Sequence, residues 1–255
     1  MKLSIRQLKY LKSLHARKYR QKYHNFMVEG VKISEEVLKQ GALEIELIAA
    51  TPEWADTHSA ILDAHREQLL LVSPQDLKRI SLLSTPHQVL LVARQPHYQI
   101  PRTLPGLALY LDGLQDPGNL GTILRIADWF GIQWVFCSPD TVEIFNPKVV
   151  QASMGAFLRV KCVVAGFGEV RTAHPEIPIY GAVLDGSDVF QTTFPPTALM
   201  VIGNESRGIT PPLRKQLTHL ITIPRYANGA AESLNAAVAT GILCAAFKKN
   251  VQAQS

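Results

Sequence analysis

Acidic residues are missing from the first 24 positions of this 255-residue chain. Lysine and arginine occur there eight times, as Lys2, Arg6, Lys9, Lys12, Arg17, Lys18, Arg20 and Lys22. The remainder holds 18 basic against 21 acidic residues, a net of −3. A basic arm on a mildly acidic body points to a polyanionic partner. Cysteine is scarce as well. Cys137, Cys162 and Cys244 lack metal or redox spacing and sit in apolar surroundings, which reads as three buried thiols in a cytoplasmic protein. The eight histidines are scattered without ligand spacing, so no metal is expected. No apolar run reaches the roughly 20 residues of a membrane helix. The most apolar run, Ala236–Phe247, reads as a buried helix, and no membrane partner is expected. The basic N-terminus has no apolar segment behind it, so it is not a secretory signal. The Gly-x-Gly-x-x-Gly turn and the phosphate loop ending in Gly-Lys-Ser/Thr are absent, as is the Gly-x-Ser-x-Gly elbow. Their absence argues against nucleotide- or dinucleotide-using transferases and against hydrolases.

What is present is an ordinary globular composition, 47% hydrophobic and 18% charged, with enough apolar material for a sizeable core. Ser4–Leu14 has helical spacing, with Ser4 as cap and Leu8, Leu11 and Leu14 on one face. Lys2, Arg6, Lys9 and Lys12 fall across from the leucines, free to meet phosphate or plain solvent. Phe26–Gly30 predicts a strand, Val31–Lys39 a helix ended by Gly41, and Ile45–Ala49 a strand. Trp54–His65 predicts a helix, Leu69–Val72 a strand, Gln75–Leu82 a helix and Val89–Ala93 a strand. This alternation argues for a small α/β domain over residues 1–95. Residues 96–106 carry three prolines and a closing glycine and read as a linker. In residues 107–255, strands are expected at Leu107–Leu111, Trp134–Cys137, Leu158–Val163, Ile179–Val183, Ala198–Ile202 and Leu220–Ile223. Helices are expected at Gly121–Phe130, Pro147–Gly155, Pro211–Gln216 and Ser233–Phe247. Strands that are apolar throughout imply a parallel sheet covered on both faces. Such sheets bind ligands beyond their strand C-termini.

Three segments carry candidate chemistry. The first runs from Leu111 through Asp112-Gly113-Leu114-Gln115-Asp116-Pro117-Gly118-Asn119 to Arg125. A strand there enters a Gly/Pro/Asn loop and then a helix, whose free N–H groups favour an anion. If the helix begins near Gly121, Arg125 lies one turn in. The plainer reading is a tight turn in which Asn119 caps the helix and Arg125 pairs at the surface. The second segment is Ile202-Gly203-Asn204-Glu205-Ser206-Arg207-Gly208, where glycines let backbone come close to a ligand or Glu205 simply pairs with Arg207. The third runs from Ile223 and Pro224 through Arg225-Tyr226-Ala227-Asn228-Gly229 to Ser233-Leu234-Asn235. Ser233 is a helix cap by type. A polar Asn235 on an apolar helix asks for a partner.

In this order the segments resemble the SpoU (TrmH-like) RNA 2′-O-ribose methyltransferases of the SPOUT superfamily. The matching residues are Asn119 and Arg125, Gly203-Asn204-Glu205 with Gly208, and Ser233-Leu234-Asn235. The stretch Phe145-Asn146-Pro147-Lys148-Val149-Val150 with Ala152-Ser153-Met154-Gly155-Ala156 resembles a further hallmark. The resemblance spans about residues 107–247. More briefly, Lys18-Tyr19-Arg20 and Phe26–Gly30 resemble the family's substrate-binding domain. The resemblance implies an α/β fold: a parallel sheet with a deep trefoil knot, preceded by a small ribosomal-protein-like α/β domain. It implies S-adenosylmethionine as cofactor, held near Gly203, Asn204, Ile223, Ser233 and Leu234, and a homodimer with the active site near the subunit interface. It implies Arg125, Asn119, Glu205, Ser233 and Asn235 as catalytic residues, with Arg125 in the position assigned to removing the 2′-hydroxyl proton. Lys9, Lys12, Arg17, Lys18, Arg20 and Lys22 are expected to meet RNA, ribosomal rather than transfer RNA. The alternative is an RNA-binding protein that kept the fold without methyl transfer. Two departures stand out: the longer, basic Arg225–Gly229 stretch, and Ala236-Ala237 where the family more usually has Val-Ser.

Overall fold

The computed structural model describes residues 3–226 and 232–253. The chain divides into two compact units, residues 1–96 with 143–158, and residues 97–142 with 159–255. In chain order the elements are α1 Ile5–Ser13, α2 Arg17–Tyr23, β1 Asn25–Glu29, α3 Val31–Gln40, β2 Ile45–Ala50, α4 Pro52–Thr57, α5 Ser59–Leu62, β3 Leu69–Leu71, α6 Pro74–Ile80 and β4 Val89–Arg94. There follow β5 Leu107–Leu111, α7 Pro117–Trp129, β6 Trp134–Cys137, α8 Pro147–Ser153, β7 Lys161–Val164, α9 Phe167–Ala173, β8 Ile179–Asp188, β9 Ala198–Ile202, α10 Pro211–Arg214, β10 His219–Thr222 and α11 Ala236–Gln252.

The first unit is a mixed sheet in the order β1-β4-β2-β3. β4 lies antiparallel to β1 and to β2, and β2 is parallel to β3. α1 starts as the sequence predicts: Ser4 and Gln7 form a reciprocal capping box. Leu11 and Leu14 join Met27, Ile80 and Leu90 in the core. Each such buried side chain is worth roughly 1.5–3 kcal/mol. α2 was not predicted, because its sequence RKYRQKY has no apolar period to betray it. The helix expected over Trp54–His65 is broken at His58. That ring stacks on Trp54 at 4.2 Å and bonds the Trp54 carbonyl and Glu35.

α8 lies in this unit too, although the resemblance runs it together with the C-terminal half. The reason is aromatic packing: Phe145 and Phe157 lie against Phe26 of β1, with centroids 4.6 and 5.7 Å away. Positive φ at Met154 and Gly155 ends the helix.

The second unit is an all-parallel sheet of six strands among the described residues, ordered β10-β8-β9-β5-β6-β7. β5 and β9 are buried at every position, as the uninterrupted apolar runs require. α11 packs on α7. The expected linker has no helix or strand, but Tyr98, Ile100 and Leu104 pack into this unit's core. α9 was missed, being short and capped by glycine.

Helix starts are the commonest correction. Pro52, Pro74 and Pro117 open helices expected to start at Trp54, Gln75 and Gly121, while Pro147 and Pro211 open theirs as expected; each follows Thr, Ser, Asp or Asn. Proline suits the first helical position because its missing N–H would be unpaired there anyway. α7 therefore begins at Pro117, four residues before the expected Gly121. α11 begins at Ala236 rather than Ser233.

Candidate active site

The sheet order places β5 and β9 side by side where the strand sequence reverses direction, with Leu111 opposite Ile202. Ligands of open parallel sheets sit at that crevice, beyond the strand C-termini. The first two segments are the loops that leave these two strands. They are tied together by backbone. Asp112 Oδ2 accepts the Thr210 N–H at 2.7 Å. The Gly113 carbonyl accepts Asn204 Nδ2 at 2.7 Å, and the Gly113 N–H donates to Ser138 Oγ at 2.8 Å. Gly113 has φ +68°, and a Cβ there would lie 2.9 Å from Asp140 Oδ2.

The second loop folds on itself. Asn204 and Gly208 exchange backbone hydrogen bonds of 3.0 and 2.9 Å. Asn204 Oδ1 accepts the Ser206 and Arg207 N–H groups. A Cβ on Gly203 would meet the Gly208 carbonyl carbon at 2.3 Å, so only glycine fits. The expected Glu205–Arg207 pair does not form: Arg207 lies 4.0 Å from Asp140, and Glu205 turns to Asn119.

All three segments meet at Asn119. Its Nδ2 donates to Glu205 Oε1 at 2.9 Å, and its Oδ1 accepts Asn235 Nδ2 at 2.9 Å. Asn119 does not cap α7. Asp116 does, accepting the Asn119 N–H at 2.7 Å and so fixing where that side chain starts. Ser233 does not cap α11 either. Asn235 does, with Oδ1 accepting from Ala237 and Val238 while Nδ2 reaches Asn119. Asn235 is exposed rather than buried, and capping plus bridging is what it does on an apolar helix.

Arg125 stands eight residues past Pro117, more than two turns into α7 rather than one. At about 100° per residue it points roughly 120° around the helix from Asn119. It is exposed and has no ion pair among the described residues. Ser233 and Leu234 are exposed and Ile223 is half-buried. Arg225 and Tyr226 are exposed, and residues 227–229 of that loop lie outside the described residues.

In the basic arm, Lys9, Lys12, Arg17, Lys18 and Lys22 are exposed, and Lys2 lies outside the described residues. Arg20 is a correction. It is 2% exposed and pairs with Glu143 through Nε at 3.0 Å and through Nη2. Its Nη1 donates to the Leu14 and His15 carbonyls at 2.8 Å each. A guanidinium spent this way has nothing left for phosphate.

Sequence reasoning missed Asp112, Asp116, Ser138 and Thr210. The Asp116-Pro117 pair was a readable signal for the first of the helix caps here. Nothing local marked Ser138, whose partner is 25 residues away. No metal-holding group of His, Cys, Asp or Glu is found among the described residues. No helix there is long and apolar enough to cross a membrane. Burial pushes the Cys137 and Cys244 thiols up to about 12.

Fold and site together define a transferase-like α/β unit with a polar crevice at the sheet's switch point. The SpoU rRNA Methylase family model matches residues 106–245, and an MRM3-like substrate binding domain matches residues 6–91. The chain belongs to the SpoU rRNA methylase family. The 23S rRNA (guanosine(2553)-2′-O)-methyltransferase RlmP of Bacillus subtilis is 29% identical, over 91% of this chain and 92% of its own. A TrmH-family protein from Porphyromonas gingivalis shares 39% identity and superposes with a TM-score of 0.84, covering 97% of this chain and 98% of its own. An AdoMet-bound rRNA methyltransferase from Sinorhizobium meliloti is 25% identical with a TM-score of 0.87, over 97% of both chains.

Proposed function

We propose that this protein methylates a ribose 2′-hydroxyl in structured ribosomal RNA, using S-adenosylmethionine. The observation that carries the reading is the Asn235–Asn119–Glu205 hydrogen-bonded chain, which draws the family's three segments to one point. The loops suit that cofactor. Leu234 is 49% exposed where leucine is ordinarily covered, so it offers apolar surface to a ligand. The 203–208 loop, with Asn204, supplies polar backbone at the end of β9. Together these suit a molecule with an aromatic base, a cationic sulfonium on short carbon chains and polar ends. When bound, S-adenosylmethionine supplies an electrophilic methyl group on a good leaving group.

The chain's own task is then to hold the ribose and ease loss of its hydroxyl proton. Asn119, fixed by Glu205 and Asn235, orients the nucleotide. Ser233, exposed just ahead of the last helix, is proposed to meet the cofactor or the nucleotide. Arg125 keeps its proton too tightly to serve as a base. Its role is to attract an RNA phosphate, which its lack of an internal partner leaves it free to do. Residues 1–95 bind the RNA, 96–106 join it to the methyltransferase unit 107–255, and that unit carries the family's trefoil knot.

The protein acts as a homodimer. Trp129 is 85% exposed, one turn beyond Arg125 on the same face of α7, and asks to be covered. A contact there places Arg125 at the subunit boundary. A cytoplasmic setting belongs to the same proposal, because the substrate resides there. Arg125→Ala is expected to abolish methyl transfer to purified ribosomal RNA while calorimetric binding of S-adenosylmethionine stays near normal. Turnover close to that of the unaltered chain removes Arg125 from the mechanism.

A further inference from the structure

The basic arm exposes Arg6, Lys9, Lys12, Arg17, Lys18 and Lys22, and Tyr19 and Tyr23 interleave with the last of these. In α2 the order is Arg17-Lys18-Tyr19-Arg20-Gln21-Lys22-Tyr23, so lysine and tyrosine each recur one helical turn apart. The Tyr19 and Tyr23 rings lie nearly parallel, 13° apart, with centroids separated by 6.3 Å. Lys18 Nζ stands 4.9 Å from the Tyr19 centroid, and Lys22 Nζ 5.6 Å from that of Tyr23. Tyr23 is 39% exposed. It is braced edge-on by Tyr10 at 5.2 Å. Tyr10 is itself fixed by Glu46 at 2.9 Å and Asn25 at 2.7 Å. Neither the Tyr19 nor the Tyr23 hydroxyl has a hydrogen-bond partner among the described residues, and Arg17, Lys18 and Lys22 have no ion pair there.

A face that merely stays in water needs charge, not rings held parallel on a rigid support. A face that grips duplex phosphates needs charge alone, because stacking between neighbouring base pairs hides the base faces. Rings interleaved with unpaired cations fit nucleotides whose bases are free to stack while their phosphates meet ammonium groups. We propose that Tyr19 and Tyr23 form a stacking platform for unpaired nucleotides of the RNA substrate, a loop or bulge, with Lys18, Lys22 and Arg17 holding the flanking phosphates. The lysines lie over the rings in the free protein; on binding, phosphate draws each ammonium aside and a base takes the ring face. The inference rests on the RNA reading under Proposed function and adds which RNA element the first unit selects.

The test uses the full chain, a labelled RNA hairpin with an unpaired loop, and a blunt RNA duplex of equal length, with binding read by fluorescence anisotropy across a salt series. Tyr19→Ala and Tyr23→Ala are each expected to weaken hairpin binding about tenfold, leaving duplex binding unchanged. Tyr23→Phe keeps the ring and should bind as the unaltered chain does. Lys18→Ala and Lys22→Ala should weaken both RNAs alike and lower the salt slope by about one unit each. Equal weakening of hairpin and duplex by the tyrosine variants overturns the proposal, as does no weakening at all. If Tyr23→Ala melts early through loss of its packing on Tyr10, Tyr19→Ala decides. Methyl transfer to purified ribosomal RNA separates the two readings. No transfer by the unaltered chain overturns the proposed reaction; tyrosine-independent hairpin binding overturns only the platform.

Discussion

Arg20 in the first unit and Asn119 in the second both reach far along the chain, to partners 123 and 116 residues away. They do so for opposite purposes. Arg20 is sealed in, with Glu143 only 13% exposed beside it and two backbone carbonyls filling its remaining donors. Nearby, Asn25 is buried against Tyr10, and Glu29 accepts from Ser81 and from the Leu82 N–H. Asn119, by contrast, sits half-buried at strand ends, and its partners Glu205 and Asn235 face solvent. Buried polar groups must be fully paired because the interior offers no water in compensation. They fix a structure and then have no capacity left. An exposed network costs little to hold, and its free lone pairs and donors remain available to a ligand. The first unit thus spends its internal polar groups on shape. The second keeps its polar groups at the crevice.

Removing Arg20 is the strongest way to break this contrast. Arg20→Ala leaves Glu143 buried without a cation and strands two carbonyls. A loss of about 3–5 kcal/mol is expected in urea unfolding; a change under about 1 kcal/mol would show that the pair is dispensable for shape. Asn119→Ala tests the other side. Methyl transfer should fall on the order of 100-fold, with stability within about 0.5 kcal/mol of the unaltered chain. A comparable loss of stability would make that network structural as well. Asp116→Ala falls between the two, because it caps α7 and also fixes the start of Asn119. It should cost about 1 kcal/mol in thermal unfolding and a smaller share of activity than Asn119→Ala. The mildest probe concerns the thiols. Burial holds Cys137 and Cys244 as thiols up to about pH 12, so at pH 8 both should resist alkylation until the chain unfolds. Fast labelling in the native state would mean that their strand and helix open readily.

Most elements of both units could be read from sequence, because apolar period and turn residues act locally. Val31–Gln40 closing at Gly41, with φ +60°, is such a case, as are the fully apolar β5 and β9. The misses share one cause. α2 has no apolar period. The helix starts at Pro117 and Ala236 depend on which side-chain oxygen finds a free amide. In the site, residue types were legible from the resemblance, but their partners were not. Glu205 could face Arg207 or Asn119, and only the adjacency of β5 and β9 decided for Asn119.

By itself, then, the sequence determined the α/β alternation, the acid-free basic arm and the family of the C-terminal half, since each is written in neighbouring residues. The tertiary structure alone decided three things: that Arg20 leaves the arm for the core, that α8 packs with the first unit, and that Asn235 both caps its helix and holds Asn119. Each depends on a pairing between residues far apart in the chain. The free energy of such a pairing comes from burial and geometry that no local spacing encodes.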